Sequence, residues 1–413
     1  MNNVFDYVTK CGLTVRFLKK KGFSKVYCGI GCKYGGAYTN YSINCKKYKS
    51  PDGIAHFIEH KLFQMPDGSD AFTEFSKLGA KANAYTQQDK VQYFFKKTGD
   101  FYEPLKLLLN MYFTPVFNDE DVEREKDIIV SEIEMYNDNK DARQWQRIMD
   151  ILYPNDPYSR PLAGTEEDVR STTVKDMYEA YKAFYTPSNS VLVIVGDEDE
   201  NILFDFIEKC LDGLEFSYCD TIKLKTIKSK KPTKGYEYTD SVFQDEAIVL
   251  LRLDDITNKD LVSCEKIIGV LDTILSISSS FQEDMMKKKL FENDIDYSVI
   301  TTPESSFVVI SAPSSKPNRF INTIFKKLNN LSLDDIDEEL LEIYLRHLKS
   351  KSIGALDNID YLGDQILSLA LEDLDYFSIL NNIINLKKDD FIDTINSIKN
   401  SMKSYLITKM KNN

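Results

Sequence analysis

A chain of 413 residues has room for at least two folded cores, and 42% hydrophobic, 28% charged and 12% aromatic residues is the composition of a globular protein. A formal net charge of −13 works against nucleic acid, which needs a basic face to displace its counterions, and favours basic peptides if it favours any partner. No apolar run reaches the ~18 residues of a membrane span, and Met1 to Thr14 carries neither a basic nor an apolar leader segment, so the expected setting is cytoplasmic with no membrane contact.

Taken in order, Val4 to Phe17 and Lys25 to Gly31 alternate as strands do, with turns at Cys11-Gly12 and Lys21-Gly22. Residues 34–49 read as irregular, and Pro51-Asp52 then opens a helix with Asp52 as a cap. That helix carries His56, Glu59 and His60. Positions i, i+3 and i+4 share one helix face, so all three side chains project into one small volume. Two neutral imidazoles four residues apart can both ligate zinc, and the carboxylate between them is placed to take a proton from a water at the metal. The chain has three histidines in all, and two of them stand at this H-x-x-E-H spacing, the inverted zincin motif.

A turn at Pro66 to Ser69, a short helix from Ala71 to Leu78 and a hairpin of 79–86 with 91–95 follow. Helices are predicted over Phe101 to Phe113 and from Asn118 to about Tyr136; the second places Glu125, Ile129, Glu132 and Tyr136 on one face. Acids on a face that also carries isoleucine need a partner, and a zinc ion is one. Further helices over Asp141 to Tyr153, Val174 to Tyr185 and Glu200 to Leu211 enclose an apolar strand, Val191 to Val195. The stretch 221–235, with six lysines and Pro232, reads as a basic linker between a zinc-binding domain, 1–220, and a second domain, 236–413.

The second half repeats the plan: a strand over Glu246 to Leu253, helices from Lys259 and Phe281, a hairpin of Ile295 to Thr301 with Ser306 to Ala312, helices over 317–328 and 335–348, then more helix. The expected fold class is therefore α+β, two homologous α/β-sandwich domains made by duplication. The seven cysteines (Cys11, Cys28, Cys32, Cys45, Cys210, Cys219 and Cys264) form no C-x-x-C pair, which argues against a thiolate zinc site or a disulfide scaffold.

With the motif, the acid-bearing helix and the duplicated plan together, the chain resembles the pitrilysin/insulinase family of inverted zincin peptidases, and within it the short, mitochondrial processing peptidase-like members of bacteria. Residues 52–60, 79–86, 123–133, 161–165 and 185–189 carry the resemblance. It implies a single zinc per chain held by His56, His60 and Glu132, with Glu59 as general base, Glu125 steadying the site from behind, and the strand containing Asn83 and Ala84 binding a peptide by strand addition.

The family's second domain supplies an arginine and, seven residues later, a tyrosine that stabilise the oxyanion. Tyr297 fits the tyrosine, but Leu290 stands where the arginine belongs, with Lys287, Lys288 and Lys289 just before it. A lysine lacks the guanidinium fork. The expectation is thus a zinc metalloendopeptidase that cleaves peptides or leader segments in a two-chain chamber, as the catalytic subunit of a heterodimer whose partner supplies the arginine. The alternatives are a homodimeric oligopeptidase using a lysine, a non-catalytic scaffold, and a metal-binding regulator, which would leave Glu59 without a role.

Overall fold

The structure is a computed structural model that describes residues 3–217, 222–224 and 229–411. Cys219 and parts of the expected linker, Thr221 and residues 225–228, lie outside the described residues. The chain divides into two compact units: Met1–Met135 with Arg160–Ile227 and Ala355–Tyr376, and Tyr136–Ser159 with Lys228–Gly354 and Phe377–Asn413.

The first half opens with β1 (Val4–Val8), β2 (Thr14–Lys19), β3 (Lys25–Cys32), β4 (Asn40–Ile43) and β5 (Lys46–Lys49). Next come α1 (Ile54–Leu62), α2 (Ala71–Lys77), β6 (Lys81–Thr86), β7 (Val91–Thr98), α3 (Tyr102–Phe113) and α4 (Asp119–Asp138). Then follow α5 (Lys140–Leu152), α6 (Glu166–Ser171), α7 (Val174–Phe184), β8 (Ser190–Gly196), α8 (Glu200–Leu211) and β9 (Ile222–Leu224). The first unit's main sheet has the order β1-β2-β8-β3-β7-β6, which leaves β6 on an edge. Every residue of β8 is buried, as its unbroken apolar run predicts.

The second half supplies β10 (Tyr236–Asp240), β11 (Glu246–Leu253), α9 (Leu261–Leu275), α10 (Ser280–Lys287), β12 (Asp296–Thr301) and β13 (Ser306–Pro313). It ends with α11 (Pro317–Asn329), α12 (Glu338–Gly354), α13 (Ile359–Ala370), α14 (Tyr376–Ile384), α15 (Ile392–Asn400) and β14 (Met402–Met410). The second sheet has the order β10-β14-β11-β13-β12. Apart from β1, the two sheets are the same object. Lys81 faces Lys96 and Thr98 faces Lys25 in one, as Asp296 faces Ser311 and Pro313 faces Glu246 in the other. The parallel pair β2 with β8 is matched by the parallel pair β10 with β14. This register makes the α+β duplication a structural fact.

Each unit takes one helix from the opposite half of the chain. In the first unit α13 packs on β3 and β8: Gly363 lets the Tyr27 ring come so close that a Cβ there would lie 2.2 Å from it, and Tyr85 donates a 2.5 Å hydrogen bond to Asp364. In the second unit α5 packs on β11 and β14, with Gln144 donating to Glu246 at 2.8 Å and to Thr408 at 3.0 Å.

Three sequence expectations need correction. Residues 34–49 are not irregular throughout, because Asn44 and Cys45 adopt φ of 47° and 67° and make a tight hairpin of β4 and β5, which β9 extends to a three-stranded sheet. The C-terminus is not helical to its end; β14 is an inner strand of the second sheet. Asp52 does not cap α1. The N-cap is Gly53 at φ 83°, and Asp52 instead pairs with Arg160 at 2.6 Å.

Candidate metal centre

The beginning of α1 is fixed by backbone contact. A Cβ on Gly53 would lie 2.2 Å from the Ala163 carbonyl oxygen, and one on Gly164, at φ 74°, would lie 2.5 Å from that of Asp52. Only two glycines allow the 161–165 loop to lie this close. The Asp52 to Arg160 ion pair closes the same junction. From that anchored start the helix directs His56, Glu59 and His60 toward α4, whose first turn is held by Asn118 Oδ1 accepting from the Asp121 amide at 3.0 Å.

His56 Nε2 lies 3.8 Å and His60 Nε2 3.5 Å from the same Glu132 oxygen, and one ligand atom from each of the three residues falls within 4.8 Å of the others. Both distances are long for hydrogen bonds. They are, however, close to the ~3.4 Å that separates donors placed tetrahedrally about an ion at ~2.1 Å. Two imidazoles and one carboxylate are also a donor set that zinc accepts, so the residues fit the metal.

Around these three, Glu125, Lys61, Glu59 and Thr86 are each engaged with a neighbour, while His56 Nδ1 is buried with no hydrogen-bond partner among the described residues. Glu125 accepts a hydrogen bond at 3.0 Å from His60 Nδ1, which leaves Nε2 as that ring's free donor atom, and its second oxygen is 3.4 Å from the buried Lys61 ammonium. The His60 contact holds the Glu125 carboxyl below its usual range. Burial, together with the neighbouring His60, lowers His56 to about 4, so this imidazole is neutral at pH 7 and its lone pair is available. For His60 burial acts in the same direction, but the hydrogen bond and charge of Glu125 more than offset it and the pKa is raised. Glu59 is raised too, by burial, against the opposing effect of a 2.6 Å hydrogen bond from the Thr86 hydroxyl.

Of the residues singled out in the sequence, His56, Glu59, His60, Glu125 and Glu132 thus come together in the first unit. Asn83 and Ala84 lie on its edge strand β6, which ends at Thr86. Tyr297 lies in the second unit on β12, its hydroxyl donated to Asp272 at 2.5 Å, and Leu290 is buried in that unit's core. Lys287 pairs with Glu283 at 2.7 Å. The sequence reading missed Thr86, Lys61 and the Gly53–Gly164 junction. Thr86 and Gly164 lie in stretches that carried the family resemblance, which was their only signal; nothing in the pattern marks Lys61 as buried.

Residues 46–166 match the family model described as insulinase (peptidase family M16), and residues 171–348 match that of the peptidase M16 inactive domain. The chain belongs to peptidase family M16. Its M16 relatives include the Bacillus subtilis (strain 168) protein YmfH, described as an uncharacterized zinc protease, 29% identical over 392 residues that make up 93% of this chain and 91% of that one. A solved M16-like peptidase from Alicyclobacillus acidocaldarius superposes with a TM-score of 0.90 at 23% identity, covering 99% of this chain and 98% of that one. The periplasmic protease PqqL from Escherichia coli matches at a TM-score of 0.76 and 15% identity over 100% of this chain and 48% of that one. At these identities the two solved structures speak to the M16 fold. Zinc is the metal that the curated relatives' names imply for the cluster of His56, His60 and Glu132. Among the described residues no helix is long and apolar enough to cross a membrane.

Proposed function

We propose that this chain is a zinc-dependent metalloendopeptidase acting on peptides or on leader segments of precursors. The convergence of His56, His60 and Glu132 beside Glu59 carries the reading. His56, His60 and Glu132 would hold a single zinc, which when bound supplies a Lewis acid that polarises the scissile carbonyl and acidifies a water. Glu59 takes the proton from the attacking water and passes it to the departing amine nitrogen, work for which a carboxyl raised by burial is better matched than an ordinary one. Glu125 keeps His60 in the required tautomer. Asn83 and Ala84 offer the open backbone of β6 to an extended peptide, which adds as a seventh strand to the six-stranded sheet.

In the duplicated plan, 1–220 is the peptidase domain and 236–413 its inactive counterpart, and the setting is cytoplasmic. Tyr297 serves the oxyanion together with an arginine that this chain lacks at Leu290, so the working unit is a heterodimer in which a second peptidase-like subunit brings it. A homodimer that uses a lysine of 287–289 is the second reading, favoured by the exposure of these side chains.

Metal analysis and peptide mass spectrometry on the purified chain test this, alongside Glu59→Gln. The expected result is one bound zinc in both proteins and cleavage in neither until the partner subunit is added, after which the wild type alone cleaves. Cleavage by the wild-type chain by itself moves the reading to the homodimer. A chain that takes up no zinc overturns it.

A further inference from the structure

At the Lys81 end of β6 the first unit has a cavity of about 670 Å³ with four lysines in its wall, Lys25, Lys81, Lys96 and Lys97, against one carboxylate, Asp360. Three of the lysines share a sheet face. Lys81 is paired across the strands with Lys96, Lys96 with Tyr27, and Lys25 lies two residues before Tyr27, so all three stand on the face on which α13 packs over β3 and β8 and from which it reaches β7 through Asp360 and β6 through Asp364; the cavity lies at the Lys81 end of that face. Asp360 is shared by Lys25 at 2.7 Å and Lys96 at 3.2 Å. Lys97 donates to the Leu78 carbonyl at 2.5 Å, and among the described residues no carboxylate pairs with Lys97 or Lys81. The half-buried Phe94 ring forms part of the lining, with the Lys96 ammonium 5.2 Å from its centroid. In a chain of net charge −13 this excess of ammonium groups beside an open strand edge is a local reversal.

A peptide added to β6 directs every second side chain onto this face, at a spacing of about 6.8 Å. Those near Lys81 enter the lysine-walled cavity, while the reacting bond lies at the Thr86 end, where Glu59 is hydrogen-bonded. Five residues of strand separate the two ends, roughly 17 Å. Resting on the peptidase reading, we propose that the cavity is a specificity subsite for aspartate or glutamate side chains of the substrate, four to six residues from the bond cut. The whole-chain charge points toward basic peptides; the strand edge selects acidic ones at this distance.

The test uses the full-length, zinc-loaded Glu59→Gln chain, which binds without turnover, and dye-labelled peptides that differ only in carrying Glu, Gln or Lys at one position, moved along the sequence. Fluorescence anisotropy is expected to rank Glu above Gln above Lys by about five- to tenfold overall at alternate positions of one stretch, an advantage that shrinks in high salt. Lys81→Glu should invert the ranking and Lys81→Gln should flatten it; Lys81 is exposed, and a melting curve for each variant confirms that it is folded. Equal binding of the three peptides, or an unchanged ranking in Lys81→Glu, overturns the subsite. If the ranking holds while no wild-type preparation, with or without a partner, cuts any peptide, the subsite stands and the peptidase reading fails; cleavage indifferent to the acidic residue has the opposite meaning.

Discussion

The two units run one backbone plan with two kinds of contact between corresponding helices. In the first, α1 meets α4 through ionisable groups: His60 with Glu125, and His56 and His60 with Glu132. In the second, α9 meets α12 through an aromatic ring, Tyr344, which lies on Gly269 and donates to the carbonyl and carboxylate of Glu265 at 2.9 and 3.0 Å. The helix-to-strand contact is likewise a carboxylate accepting from a hydroxyl in both, Glu59 from Thr86 and Asp272 from Tyr297, but among the described residues only the first lies beside a cluster of potential metal ligands. Sheet register is therefore indifferent to chemistry: the same frame is filled by a ring in the second unit and by three potential ligand atoms in the first.

The sharpest way to break this comparison is at Glu59. Replacing it with Gln should lower kcat by about 10²- to 10⁴-fold in the fully assembled enzyme while zinc content stays at one per chain, and wild-type rates in that variant would remove Glu59 from the chemistry. Zinc itself should act on one unit alone. At a free concentration a thousand times its dissociation constant it stabilises by ~4 kcal/mol, so hydrogen exchange should slow in α1 and α4, leave α9 and α12 unchanged, and revert with a chelator. Equal slowing in all four helices would mean that the ion is not bound at this cluster.

Two glycines separate a site effect from a packing effect. Gly53→Ala forces a side chain into a left-handed conformation, costing ~1–2 kcal/mol, and presses it on the Ala163 backbone, so both the urea midpoint and zinc affinity should fall. Gly269→Ala places a Cβ 2.5 Å from Phe391 and 2.8 Å from Tyr344 and should cost ~1–3 kcal/mol of stability with zinc affinity untouched. The smallest change is expected from Thr86→Val, which removes only the hydroxyl that holds Glu59. A loss in kcat of roughly tenfold, with KM little changed and restored by Thr86→Ser, would mark positioning; no recovery with Ser would mark packing instead.

What the sequence disclosed follows from which interactions are local. Helical spacing put His56, Glu59 and His60 on one face and Glu125 and Glu132 on another, and β11 was legible because Ala247 to Leu251 is an unbroken apolar run. The strand β14 was not. Its buried positions include Ser404 and Thr408, whose hydroxyls are satisfied by the Thr233 carbonyl at 2.7 Å and by Gln144 at 3.0 Å, so no apolar alternation announces it. The hairpin at Asn44-Cys45 lacks the glycine that usually signals such a turn. Lys61 carried no signal, and Thr86 none beyond the family resemblance, for a related reason, since each acts through a partner remote in sequence, Glu125 or Glu59.

The exchange of α5 and α13 sets a timetable for synthesis. As the chain leaves the ribosome from its N-terminus, the strands of the first sheet are complete once β8 has emerged, yet the face carrying Tyr27 stays bare until α13 follows, more than 150 residues later. The unit that carries His56, His60 and Glu132 is thus completed by a helix from the last fifth of the chain. A gene fragment ending at the lysine-rich stretch would encode every one of them and still yield a sheet with one apolar face open to aggregation, whereas co-expression with the remaining segment offers a route to rescue.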